Sequence, residues 1–114
     1  MSSTLTPSGA LGALKVARER GGKEFLEVFR HGTLTVEIYR PEGMDRQQPH
    51  ARDEVYVVIS GSGWFRNGDH RHRFEPGQVL FVPAGVVHRF EEFSADFATW
   101  VFFYGPEGGE SHSG

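Results

Sequence analysis

The stretch "PGQVLFVPAGVVHRF", residues 76–90, decides the fold. Pro76-Gly77 and Pro83-Ala84-Gly85 are tight-turn signals, and each is followed by a short apolar run rich in β-branched residues. Two such runs so close together are short strands, because a helix needs at least about ten residues. The same texture extends outward in both directions. "EFLEVFRHG" and "TLTVEIYRPEG" read as a hairpin broken at His31-Gly32, and "EVYVVIS", "GWFR", "HRHRFE" and "DFATWVFFY" read as further strands. Asn67-Gly68-Asp69 and Gly61-Ser62-Gly63 supply turns between them. About eight or nine short strands with no long helix between them predict an all-β fold, an antiparallel barrel or two-sheet sandwich.

The totals are those of one domain. The chain has 114 residues, 15 glycines, 10 phenylalanines and a net charge of −3. That charge gives no basic field to hold nucleic acid or an anionic membrane, so neither is expected as a partner. With no cysteine, any metal must take nitrogen and oxygen ligands. No apolar run approaches the roughly 18 residues of a membrane span, and the N-terminus lacks the pattern of a signal peptide, so a cytoplasmic location is expected. Residues 1–23 read as an N-terminal arm outside the core, with a short helix over Ala10 to Arg20 ended by Gly21-Gly22. The barrel is expected over residues 24–104, and the polar tail 105–114 is expected to be disordered. "FATWVFFY" is apolar at nearly every position, which requires cover on both faces and predicts a homodimer.

A second stretch, "RQQPHARDEVYVVISGSG" at residues 46–63, brings in the chemistry. On a strand, Gln48 and His50 would point the same way, roughly 6.8 Å apart. Glu54 would lie about 13.5 Å from His50 on a straight strand, so the chain must bend at Ala51-Arg52-Asp53 for both to reach one ion. His88, just past the Pro83-Ala84-Gly85 turn, is the candidate third ligand from another strand. Glu54 inside an apolar barrel also needs a neutralising partner, for which a cation, Arg52 or Arg89 would serve. "HRHR" at residues 70–73 offers another pair, His70 and His72, but reads as a solvated edge.

The two stretches together resemble the cupins, small β-barrels with two short signatures. The chain reads Gly43-x4-Gln48-x-His50-x3-Glu54-x6-Gly61, then Gly77-x5-Pro83-x-Gly85-x2-His88-x3-Glu92. The resemblance implies a double-stranded β-helix, or jelly roll. It also implies a divalent metal (iron, manganese, zinc or nickel) held by His50, Glu54 and His88. The family's first histidine is replaced by Gln48, read as a weak fourth ligand or a group orienting water, and its final asparagine is replaced by Glu92. Two imidazoles and one carboxylate form the set used by non-haem iron oxygenases. Tyr56 and Phe90 share parity with Glu54 and His88 and should shape an apolar pocket for a small ligand. Tyr56 and Glu92 are the candidates for handling protons, although Glu92 reads first as a charge at the solvent-exposed mouth of the barrel. The expected function is a metal-dependent oxygenase, isomerase or lyase acting on a small polar metabolite. The alternative is a non-catalytic barrel that binds a small molecule or sugar.

Overall fold

Alternating burial along the strands at 53–60, 63–67, 79–82 and 88–91 shows how the sequence builds two layers. A computed structural model describes residues 4–111. After the helix α1 (Pro7–Glu19) come β1 (Phe25–His31), β2 (Leu34–Tyr39), β3 (Asp53–Ser60) and β4 (Gly63–Asn67). β5 (His70–Phe74), β6 (Val79–Val82), β7 (His88–Glu91) and β8 (Ala98–Tyr104) complete the chain. One sheet has the order β1-β2-β8-β3-β6 and the other β5-β4-β7, with antiparallel pairing throughout. This is the all-β, double-stranded β-helix expected from the sequence.

Register assigns each residue of the larger sheet to a face. Glu37, Val101, Tyr56 and Leu80 stand side by side on the inner face, and Thr35, Phe103, Glu54 and Val82 form the neighbouring row. The smaller sheet contributes Phe65, Phe74 and Phe90, all at most 1% exposed. A chain of ring contacts runs from Phe93 through Phe97 and Phe90 to Tyr56 and Phe65, with centroids 4.5–5.7 Å apart. Gly61 makes this closure possible: its backbone has φ +82°, and a Cβ there would lie 2.5 Å from Phe97 Cα.

The outer face of the larger sheet is apolar too. Leu26, Ile38, Trp100, Val57 and Val79 form one continuous cross-strand row, and Val36, Phe102, Val55 and Phe81 a second. Residues 1–23 were expected to stand clear of the core, but α1 packs onto the β1–β2 end of this face. Ala10 and Leu14 are buried against Ile38, with Leu26, Val28 and Trp100 around them. The helix starts earlier than the glycine pair alone suggested, because Thr6 caps it by accepting from the Gly9 N–H at 3.1 Å and Pro7 fits its first position. So part of the second cover for β8 comes from the chain's own N-terminal helix. Val79 and Phe81 remain 66% and 47% exposed at the opposite end.

The tail also differs from expectation. Gly108 N–H donates to the Ala51 carbonyl at 2.7 Å and Glu110 N–H to an Asp53 carboxylate oxygen at 2.9 Å, so residues 105–110 are fastened by backbone bonds that side-chain polarity does not predict. The expectations for residues 1–3 and 112–114 lie outside the described residues.

Candidate metal centre

His50 stands at the end of an irregular segment, residues 40–52, that enters β3 through bends at Ala51 and Arg52. The expected bend therefore exists, and it brings His50 Nε2 to 4.0 Å from Glu54 Oε2. Gly85 fixes the backbone of His50 by donating its N–H to the His50 carbonyl at 2.7 Å. Its φ of +80° suits glycine and ties the second stretch to the first. Glu54 comes from the larger sheet and His88 from the smaller. His88 Nε2 lies 3.0 Å from Glu54 Oε1, with both side chains at most 1% exposed. The donor atoms of all three residues fall within 4.8 Å of one another.

Two details show that this cluster fits a cation. First, both Glu54 oxygens and His88 Nε2 are buried with no well-formed hydrogen bond. Neither arginine considered for Glu54 neutralises it: Arg52 donates to the Thr33 carbonyl and the Thr35 hydroxyl, and Arg89 to the Gln47 carbonyl. Second, His88 Nδ1 lies 2.9 Å from the Val86 carbonyl, which can only accept. The proton of a neutral ring therefore sits on Nδ1, and the Nε2 lone pair faces Glu54. Donors about 2.0–2.2 Å from one ion stand roughly 3–3.5 Å apart, so a small inward movement of His50 completes the set.

The charges respond accordingly. Burial opposes a proton on His88, but the Glu54 carboxylate and the Val86 carbonyl outweigh it and raise its pKa above the ordinary value. For His50, burial dominates over the attraction of Glu54 and lowers the pKa. Burial, reinforced by Glu54, raises the Tyr56 hydroxyl well above its usual range, so it stays a donor.

The remaining candidates fall in different places. Tyr56 is fully buried beside the cluster and donates to Gln47 Oε1 at 2.9 Å. The strand parity used for Gln48 does not hold, because residues 40–52 are not a strand. Gln48 is exposed on a cavity wall, while the half-buried Gln47 reaches His50, Oε1 to Nε2 at 3.3 Å. Glu92 lies on the outer surface, 73% exposed and 3.0 Å from Arg71. Its backbone has φ 48°, which breaks the alternation of β7 and turns the side chain away from the ligands. His70 and His72 are exposed on the edge strand β5, as expected.

Two residues escaped the sequence reading. Asp45 is 1% exposed and accepts from Tyr39 Oη at 2.7 Å, Phe90 N–H at 2.8 Å and both Gln47 nitrogens at 3.0 Å. It thereby pins the loop that carries His50 onto β7. Glu37 faces inward from β2 into a cavity of about 580 Å³, whose wall includes Tyr39, Arg46, Gln47, His50 and Phe103. Its signal was present in "LTVEIY", where Leu34, Val36 and Ile38 take one face and Thr35, Glu37 and Tyr39 the other.

Comparison with known proteins agrees with this architecture. The sequence profile of the cupin domain matches residues 35–104. An uncharacterized protein of Streptomyces coelicolor is 35% identical over 99 residues, covering 85% of this chain and 94% of that protein. Acireductone dioxygenase 1 of Coprinopsis cinerea is 32% identical over 83 residues, covering 66% of this chain; the chain spans about half of that relative, 47%. Among solved structures, protein NMB1881 of Neisseria meningitidis superposes with a TM-score of 0.67 at 19% identity, over 90% of this chain and all of that one (100%). An RmlC-like cupin family protein with a double-stranded β-helix fold, from Methanocaldococcus jannaschii, gives 0.61 at 15% identity, covering 74% and 80% of the two chains.

Proposed function

The chain belongs to the cupin domain family, and from that premise we propose that it is a metal-dependent enzyme acting on a small polar metabolite. The observation that carries this reading is the buried convergence of the Glu54 oxygens and His88 Nε2 with no well-formed hydrogen bond to any other group, with His50 at the cavity side of the pair. Native interiors rarely leave such atoms unsatisfied, and a divalent cation satisfies all of them at once. His50, Glu54 and His88 would hold the ion. When bound, it would supply Lewis-acid or redox chemistry at positions left open toward the cavity. The similarity to a protein named acireductone dioxygenase favours the oxygenase branch over isomerase or lyase.

The chain's own residues prepare the site. Val86 fixes the His88 tautomer, and Asp45 holds Gln47, whose oxygen lies within reach of both Tyr56 and His50. Gln48, Lys23 and Arg46 give the cavity wall polar and positive groups, while Phe25, Val101 and Phe103 keep the rest apolar. That mixture suits a small ligand with an oxygen-bearing or anionic end. Elemental analysis after loading with iron(II), manganese, nickel or zinc is the direct test. Wild type should retain close to one ion per chain, and His50→Ala and His88→Ala should each lose it. Metal retention followed by oxygen uptake with the iron form would support the oxygenase branch. A wild type that keeps no ion would overturn the enzyme reading and leave a ligand-binding barrel.

We also propose that a second copy of the chain covers the outer sheet face beyond the reach of α1. The in-register apolar rows continue there through Val55, Val57, Val79 and Phe81, so a two-fold axis can set the same surface against itself. Phe81→Asp is expected to convert a dimer to a monomer in sedimentation equilibrium without loss of metal. A wild type that sediments as a monomer sinks this arrangement.

A further inference from the structure

We infer that Glu37 is the group that exchanges a proton with the ligand at this site. The inference rests on the proposed metal reading and assigns a role outside the two sequence signatures. Its basis is placement. Glu37 is half-buried on the inner face of β2 and lines the same cavity as His50. Register places it two strands from Tyr56, with Val101 between, which is roughly 10 Å between backbones. The cavity that Glu37 lines, about 580 Å³, has room for a ligand of a few heavy atoms. Among the described residues, no hydrogen bond or ion pair engages the Glu37 carboxyl, and none joins it to His50, Glu54 or His88.

The surrounding charges do not occupy it. Arg46 lies 3.5 Å from Glu24, and Lys23 sits over the Phe25 ring at 5.7 Å. Facing groups are Glu27 from β1, Glu54 from β3, Tyr39 on its own strand, and His50 from the loop. Burial, followed by the negative charges of Glu54 and Glu27, raises the Glu37 pKa to about 7. An inward carboxyl without a partner, titrating near neutrality beside a ligand cluster, has the properties of an acid–base group. Tyr56 does not, because its proton is held too tightly, and Glu92 points away. In the step assigned, an O–H bond of the ligand breaks, its electron pair stays on the ligand oxygen, and the proton passes to a Glu37 Oε.

The test uses zinc-loaded full-length protein and acetohydroxamic acid as the probe, which must lose its O–H proton to bind as a chelating anion. Calorimetric titrations at pH 8 in two buffers of different ionisation enthalpy count the protons released on binding. The bound anion beside Glu37 should push its carboxyl further up and hold the proton there, so wild type should release fewer protons than Glu37→Gln, by up to one per site. Equal counts in the two proteins would overturn the inference, as would absence of probe binding to zinc-loaded wild type. Failure to load zinc shows separately in elemental analysis; it would remove the metal reading and this inference with it.

A second readout needs no ligand. In metal-free wild type, Glu37 binds its proton up to about pH 7, whereas the unfolded chain releases it near the ordinary value of 4.5. Folding stability therefore declines as pH rises from 4.5 to 7. Glu37→Gln should remove that decline and melt a few degrees above wild type beyond pH 7, with convergence near pH 4.5. Parallel melting curves would show Glu37 to be paired after all, and the proton role would fall.

Discussion

Glu54→Gln is expected to raise the melting temperature of the metal-free protein by on the order of 10 °C in the alkaline range, while abolishing measurable metal retention. The two effects share a cause. Glu54 is 1% exposed, its oxygens have no well-formed hydrogen bond, and among the described residues no arginine or lysine neutralises it. A buried charge left uncompensated costs several kcal/mol, and an amide of the same shape avoids most of that cost. His88 sets the pH window. Its raised pKa means that at lower pH it carries a proton 3.0 Å from Glu54. That pairing stabilises the fold fully below the unfolded histidine pKa of 6.5 and is lost as pH rises through the higher folded value. The advantage of Glu54→Gln should therefore grow with pH and shrink toward pH 6. Thermal melts across that range check it; a variant less stable than wild type at every pH would mean that Glu54 is already satisfied.

The second large effect is stabilisation by the cation itself. A ligand present at 100 times its dissociation constant adds about 2.7 kcal/mol to folding. For a domain of this size that corresponds to a rise of roughly 10 °C, reversed by a chelator. His88→Ala should abolish the rise, because it removes the Nε2 lone pair that Val86 holds toward Glu54. Differential scanning calorimetry of both proteins, with and without zinc, gives the comparison. An equal rise in wild type and His88→Ala would place the ion elsewhere, the exposed His70 and His72 being the first alternative.

The fold was legible because its signals are local. Each strand was announced by a β-branched or aromatic run, and each turn by Gly, Pro or Asn-Gly. The triad was legible because Gly85, His88, His50 and Glu54 occur at spacings that a known barrel uses. What escaped depended on tertiary placement. Strand alternation assigns Gln48 the position beside His50, but Asp45 folds that segment into a loop from which Gln47 reaches His50. Glu92 followed the parity of β7 on paper, but one residue of left-handed backbone ends that parity. Among the aromatics, Phe25 and Phe81 are 42% and 47% exposed, while Phe65, Phe74 and Phe97 fill the core. Composition cannot tell these apart, since every one lies in an apolar run; only register decides which face it takes. The fastening of the tail was invisible for a different reason, because a backbone donor leaves no trace in residue type.

The three ligands do not come from one layer. Glu54 belongs to the five-stranded sheet and His88 to the three-stranded one, with His50 on the loop entering the first. An ion there would act as a rivet between the layers, beside the Asn67 amide that donates to the Phe81 carbonyl and the Phe90 N–H that donates to Asp45. Breathing of the smaller sheet should then be the motion most sensitive to occupancy. Amide protons of β4 and β7 should exchange with deuterium more slowly once the rivet is set, while those of β1 and β2 keep their rates. Access to the cavity would thus be governed by the mechanics of the barrel as well as by its chemistry.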